Sequence, residues 1–587
     1  MGATGSAFDF SLLSRVLGYA RPYKSTLFFT ALLTILLAVI APARPFLISY
    51  TIDNYIIVGD YPGLVQMMVA LILLMVAETG LGFLYSYYSS WLGQTVIKDL
   101  RSHVFRHITR LRLKFFDNSP IGMLVTRVIS DIETIADIFS EGLLVIIADI
   151  LKLIVIVGVM FYVNWQLALI SLAVIPVMLI STRIFQNAVK KAFQDVRTKV
   201  SELNTFVQEH ITGMGIVQIF GREEQEFEKF EQINRDHRDA NNRSVWHYSV
   251  FLPIVEVLSA ASKGLLVWIG ARLALGGSVT PGEIVAYMMY VDLLFRPIRE
   301  LADKFNTLQM GIVSSERVFK VLDTDDIIEN THKHTTDVIK GDISFKDVWF
   351  AYNDEDWVLK GVSFDVKAGQ TIAIVGATGA GKTSVISLLG RFYEYNKGTI
   401  TVDGVDLRDY DTAVIRKHIG IVLQDVFLFS DSIANNITIG KDNVTKAQLQ
   451  EAARMIGAER FINNLPGDFD YNVMERGAVL SVGQRQLISF MRAYIHNPSI
   501  LILDEATSSV DTESEEMIQE ALSKLTHGRT SIVIAHRLAT VQKADYILVF
   551  DHGQIIEHGT HQGLLSQNGQ YKRLFELQFK NAETAAL

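Results

Sequence analysis

A chain of 587 residues is too long for one hydrophobic core, and 49% hydrophobic residues with a mean hydropathy of +0.25 is high for a water-soluble fold, so part of it is expected in lipid. Its 63 acidic against 54 basic residues give a formal charge of −9, which argues against nucleic acid as a main partner. The absence of cysteine excludes disulfides, thiolate zinc sites and iron–sulfur clusters; it fits a reducing cytoplasmic face, as a chain engineered free of cysteine also would.

In chain order, Phe10, Leu12, Leu13, Val16 and Leu17, interleaved with Arg15 and followed by Arg21 and Lys24, read as a short amphipathic helix on a membrane surface (residues 1–24). Six stretches are apolar and long enough to cross about 30 Å of hydrocarbon: 27–48, 65–87, 143–163, 167–184, 250–273 and 284–298, the last interrupted by Asp292 and Arg296. The link 51–63 carries Asp53 and Asp60 but no Lys or Arg, and the link at Asn164 is uncharged, so both are expected outside. Residues 94–140, with Lys98, Arg101, Arg106, Arg110, Arg112, Lys114 and Arg127, and the equally basic 182–244 are expected in the cytoplasm, which places both termini there. A helical period continues through 89–113 and 186–212, so the membrane helices are expected to extend beyond the bilayer. Breaks at 117–122 and 213–215 read either as elbows able to meet a second domain or as ordinary hairpin turns.

The membrane domain is expected over 25–322, a polar linker over 323–339 and a soluble domain over 340–580. In the last, apolar runs at 343–345, 371–375, 500–503, 531–535 and 546–550, separated by helical segments, predict an α/β layer with a mostly parallel sheet.

The run 371–375 leads into Gly376, Ala377, Thr378, Gly379, Ala380, Gly381 and Lys382, followed by Thr383 and Ser384. Glycines at this spacing let backbone N–H groups wrap phosphate oxygens, and the next helix turns its positive end toward them. Lys382 adds a charge for the β- and γ-phosphates of ATP, and Thr383 a hydroxyl for Mg²⁺. Asp504, ending a later strand, is placed to bind the same ion, and Glu505 is the candidate base that polarises the attacking water. Gln424 and His536 each follow a strand, fitting a reporter of metal or water and a γ-phosphate ligand respectively.

With these residues, and with Leu480-Ser481-Val482-Gly483-Gln484 downstream, almost the whole chain resembles a half-transporter of the ATP-binding cassette exporter family, which contains lipid flippases and multidrug exporters. The resemblance implies an all-α six-helix transmembrane domain followed by an α/β P-loop nucleotide-binding domain, in a multi-pass protein of a bacterial inner membrane with cytoplasmic termini. It makes Tyr352 the adenine-stacking aromatic, Gln424 the glutamine loop, Ser481, Gly483 and Gln484 part of the signature, Asp511 part of the aspartate loop (with Ser508, Ser509 and Val510), and His536 the switch histidine. Glu475-Arg476-Gly477 is similar to the cross-domain loop, and the breaks near Pro120 and Gly215 to the coupling helices. Val482 stands where the family usually has glycine. The signature can close only on a nucleotide held by a second subunit, so a dimer is implied, a homodimer ahead of a heterodimer. The expected cargo is an amphipathic small molecule or a lipid, with membrane lipid as a further partner. Arg44, Glu78, Asp149, Lys152, Glu256, Lys263 and Asp292, charged residues within or beside the apolar runs, are candidates for the transport path or for helix packing, and Asp149 and Lys152 are spaced to pair. An importer on the same fold and a nucleotide-gated channel are the alternative readings.

Overall fold

The computed structural model describes residues 10–327, 334–335, 338–353, 355–441, 443–504, 512–535 and 538–585. The chain divides into two compact units: one runs to Thr109 and resumes over Ile121–Asp325, and the other combines Arg110–Pro120 with the chain from Asp326 onward.

The first unit is helical. Among the described residues five helical segments are long and apolar enough to cross a membrane: Arg21–Ile56, Tyr61–Ile108, Val145–Val163, Trp165–Thr212 and Glu223–Leu275. The expected sixth stretch lies inside one unbroken helix, Pro281–Leu322, which begins with a capping box between Thr280 and Glu283. Several helices run far past a bilayer's thickness, the longest being 53 residues.

At breaks inside the bundle, where lipid cannot satisfy exposed backbone groups, buried tyrosines add bonds to those the backbone already makes. The first span breaks at Pro42, whose carbonyl accepts from the Tyr290 hydroxyl at 3.0 Å. At Asn164 the chain turns in extended conformation; the Asn164 side chain caps the next helix, and Tyr287 Oη accepts from the Asn164 N–H at 3.0 Å. Charges inside the bundle are paired across helices. Lys304 Nζ lies 2.5 Å from Asp149, Lys263 Nζ 2.5 Å from Asp292, and Arg44 3.9 Å from Glu78. Asp149 is thus held by Lys304 on another helix, where spacing alone had pointed to Lys152. Glu256 is exposed on its helix.

The second unit holds two sheets. A four-stranded antiparallel sheet has the order β2-β1-β4-β5, with β1 Ile343–Ala351, β2 Trp357–Val366, β4 Lys397–Val402 and β5 Val405–Asp406. A six-stranded sheet has the order β10-β9-β3-β8-β7-β6, with β3 Thr371–Gly376, β6 Ile419–Val422, β7 Ile500–Asp504, β8 Thr530–Ile534, β9 Tyr546–Asp551 and β10 Gln554–Gly559. It is parallel except for β10. β7 and β8 are buried along their whole length, as strands covered on both faces must be. Of the antiparallel sheet, sequence patterning caught only the start of β1 at 343–345 and counted it with the parallel strands, because β1 and β2 alternate too irregularly around bulges between Phe345 and Ala351.

Candidate functional site

Strand register brings the separate sequence elements to one edge. Ile374 of β3 pairs with Ile534 of β8, Ile534 sits beside Asp504 of β7, and Leu503 beside Val422 of β6. The glycine loop after β3, Asp504 and Gln424 therefore share the carboxyl edge of the parallel strands, where open α/β sheets bind their ligands.

The loop's conformation demands its glycines at two places. A Cβ on Gly376 would stand 2.2 Å from the Phe550 carbonyl oxygen, and Gly381, at φ +98°, would bring one to 2.8 Å from Leu359 Cδ2. Gly381 is also the N-cap of the helix Lys382–Leu389. Between them Ala377, Thr378 and Gly379 are exposed, while Ala380 is buried. Lys382 is only 7% exposed, and its Nζ donates to the carbonyls of Gly376 at 2.7 Å and Ala377 at 2.9 Å. Burial lowers the Lys382 pKa, and the charge of Asp504 partly opposes this. A cation held by two neutral carbonyls can exchange them for anionic phosphate oxygens, which make stronger charge-assisted bonds. Thr383 is exposed at the start of the helix, Gln424 is exposed, and Asp504 is buried. Hydroxyl, carboxylate and amide oxygens are hard donors suited to Mg²⁺, so the side chains fit a magnesium-bound triphosphate.

Tyr352 packs edge-to-face on Phe350 and Tyr393, at centroid distances of 4.7 and 4.9 Å, and its hydroxyl lies 3.0 Å from Ser384 Oγ. Tyr393 in turn donates to Asp117, which ends the short helix Leu113–Asp117. That helix belongs to the same unit as Tyr393, as does Arg112, whose N–H donates to Asp326 O at 2.9 Å. Neither Tyr393 nor Asp117 was singled out in sequence, since nothing local links positions 276 residues apart.

Ser481 is the N-cap of the helix Val482–His496: its hydroxyl accepts from the Gln484 N–H at 3.2 Å, and Gln484 Oε1 accepts from the Ser481 N–H at 2.9 Å. Gly483 is buried. Val482 is the first helical residue and 41% exposed, so the backbone has no need of glycine there. Arg485 donates to the carbonyls of Leu480 at 2.8 Å and Gly477 at 3.3 Å, fastening the signature to the turn at 475–477. That turn is strained: Met474 and Arg476 both have φ above +50°, and a Cβ on Gly477 would meet Leu428 Cδ1 at 2.8 Å. Arg492 on the same helix donates to Phe427 O at 2.9 Å and Asn436 O at 2.5 Å, tying it to the segment after Gln424; burial pushes its pKa down to about 10. Sequence reading missed this clasp because an arginine at mid-helix carries no mark of its partner. Ser481→Ala should cost about 1 kcal/mol through loss of the cap, seen as a lower melting temperature, and Ser481→Thr should restore most of it.

Glu505, Asp511 and His536, together with Ser508, Ser509 and Val510, lie outside the described residues.

Residues 27–298 match the family model described as the ABC transporter transmembrane region, and residues 359–508 match the one described as ABC transporter. The chain is 37% identical to the uncharacterized ABC transporter ATP-binding protein YknV of Bacillus subtilis, over 98% of this chain and 96% of that protein. It is 36% identical to an ATP-dependent lipid A-core flippase of Desulfotalea psychrophila, covering 95% and 97% of the two chains. A second protein of that name, from Syntrophus aciditrophicus, is 35% identical over 97% and 95%.

Proposed function

Because the chain belongs to the ATP-binding cassette transporter family, as a multi-pass membrane protein whose ATPase drives transport, we propose that it exports or flips a lipid or a drug-like amphiphile and works as a dimer, a homodimer ahead of a heterodimer. The observation that carries this reading is a buried Lys382 cradled by its own loop carbonyls, on a chain whose other unit is a bundle of apolar helices. Likeness over nearly full length to lipid A-core flippases favours an amphiphile with a lipid-like body.

In this mechanism the loop from Gly376 to Gly381 wraps the phosphates with N–H groups, Lys382 and Ser384 hold them, and Tyr352 stacks on the adenine. Thr383, Asp504 and Gln424 would hold Mg²⁺, which neutralises charge developing on the β- and γ-phosphates. Glu505 takes the proton of the attacking water, and His536 steadies the γ-phosphate. Ser481 and Gly483 face the nucleotide of the second subunit at their helix N-terminus, with Gln484 fixing Ser481 and Asp511 completing the subunit boundary. Nucleotide bridging two subunits favours a closed pair, and hydrolysis removes that preference, so the helices alternate between inward and outward access. The basic links support cytoplasmic termini, and likeness to bacterial transporters supports residence in an inner membrane. Of the charged candidates for the cargo path, Arg44 with Glu78, Asp149 with Lys304 and Lys263 with Asp292 are ion-paired, which favours helix packing for them, and Lys152 and Glu256 stay candidates for the path.

Purified chain in liposomes should move a fluorescent lipid or an amphipathic dye only with ATP, from the leaflet or compartment that exposes the nucleotide-binding unit. Movement toward that side would identify an importer; flux down a gradient far faster than hydrolysis would identify a channel. Tyr352→Ala should weaken ATP binding by about 1–3 kcal/mol, the usual worth of base stacking, whereas Tyr352→Phe keeps the stack and loses only the bond to Ser384. Nucleotide titration by fluorescence distinguishes the two.

A further inference from the structure

The N-terminal helix Phe10–Gly18 does not spend its apolar face on a membrane surface: Leu13 and Val16, expected to meet lipid, are buried in protein, as is Ala20 just beyond. The flank beside that face reaches two other helices. Arg15 donates to both carboxylate oxygens of Asp323, at 2.7 and 2.5 Å, and its guanidinium stands 4.2 Å above the Phe319 ring. One turn on, the Tyr19 ring lies roughly parallel to that of Phe319, with centroids 6.3 Å apart, and its hydroxyl is 2.9 Å from His103 Nδ1. Tyr23, a further four residues along, donates to Asp99 at 2.6 Å.

Phe319 lies in the last turn of the helix Pro281–Leu322 and Asp323 caps it, while Asp99 and His103 occupy the closing turns of Tyr61–Ile108. These are the two helix ends from which the chain leaves the bundle unit, after Asp325 and after Thr109. His107 Nε2, 3.1 Å from the Thr324 carbonyl oxygen, joins them one turn past His103. The bond from Arg15 lowers the Asp323 pKa, so the pair keeps both charges at neutral pH. No step of the mechanism above uses any of these residues.

We propose that the N-terminal segment is a clasp, with Arg15 and Tyr19 as positioning residues, that makes the two exit helices move as one body. A displacement passed along either connection then reaches both helices and is not lost in the fraying of one end. The consequence for transport rests on the export reading above; the clasp itself does not.

The test compares the full chain in nanodiscs and liposomes as wild type, Arg15→Asp, Asp323→Arg and the exchanged pair carrying both substitutions. Each lone substitution sets like charges against each other. Asp323→Arg puts a cation at a helix C-terminus, where the dipole favours it, so a folding defect does not account for its effect. Backbone hydrogen exchange over residues 99–108 should quicken about threefold to fivefold in each, as loss of one exposed ion pair allows, although Arg15 makes no hydrogen bond to that segment. Cargo moved per ATP hydrolysed should fall by a similar factor, while maximal hydrolysis and the KM for ATP stay within about twofold. The exchanged pair should restore most of both readouts, which a general loss of packing would not. Unaltered exchange over 99–108 in both lone substitutions overturns the clasp, and so does an exchanged pair no better than either alone. Hydrolysis falling in step with cargo movement overturns it too, since the contact would then serve folding only. If wild type hydrolyses ATP and moves neither lipid nor dye, the export reading fails by itself, and the exchange measurement still decides the clasp.

Discussion

Lys382→Ala should abolish nucleotide-dependent stabilisation and lower ATP hydrolysis by at least about a hundredfold, while leaving the protein folded. The ammonium is buried against the carbonyls of Gly376 and Ala377, so its removal takes away a charge at the phosphate position and little apolar contact. Its folded pKa lies below the unfolded value, so the charged side chain costs stability without nucleotide; that cost is full below the folded pKa and disappears as pH rises through the unfolded value near 10.5. At neutral pH the variant without ATP should therefore melt no lower than wild type. With ATP at about a hundred times its dissociation constant, wild type gains about 2.7 kcal/mol, a rise of roughly 5–10 °C for a unit of this size. The variant should gain almost nothing. A full ATP-induced rise in Lys382→Ala, or undiminished vectorial movement of cargo, would remove the P-loop from the mechanism.

Glu505→Gln should bind ATP normally and hydrolyse it about 10²–10⁴ times more slowly, the usual contribution of a positioned general base. The amide keeps the size and hydrogen bonding of the carboxylate and loses its ability to take a proton. ATP that is bound and not consumed should hold two subunits together, so mass measurement should find a stable dimer with trapped nucleotide. Wild type under the same conditions should cycle. Normal turnover in this variant would place the base elsewhere.

The catalytic edge was legible because each part is local. Glycines at 376, 379 and 381 followed by Lys382 announce a phosphate loop whatever surrounds them, and an apolar run ending in Asp504 announces a strand end. The structure added the register that sets β3, β8, β7 and β6 side by side, bringing Asp504 and Gln424 to the loop. It also explained Val482, an exposed first helical residue whose side chain the backbone tolerates. The clasp of Arg492 on Phe427 and the contact of Tyr393 with Asp117 were invisible, because no periodicity couples such distant positions.

The amino-acid sequence by itself determined which segments are greasy enough for lipid, which form the parallel strands, and which loop cradles phosphate, since hydropathy, apolar runs and glycine spacing act over a few residues. Only the tertiary structure decided partners: Asp149 with Lys304 in place of Lys152, Tyr290 with the carbonyl of Pro42, and Arg492 with the carbonyls of Phe427 and Asn436. Those choices depend on how rigid elements pack, and packing brings together groups whose separation along the chain carries no trace of their closeness in space.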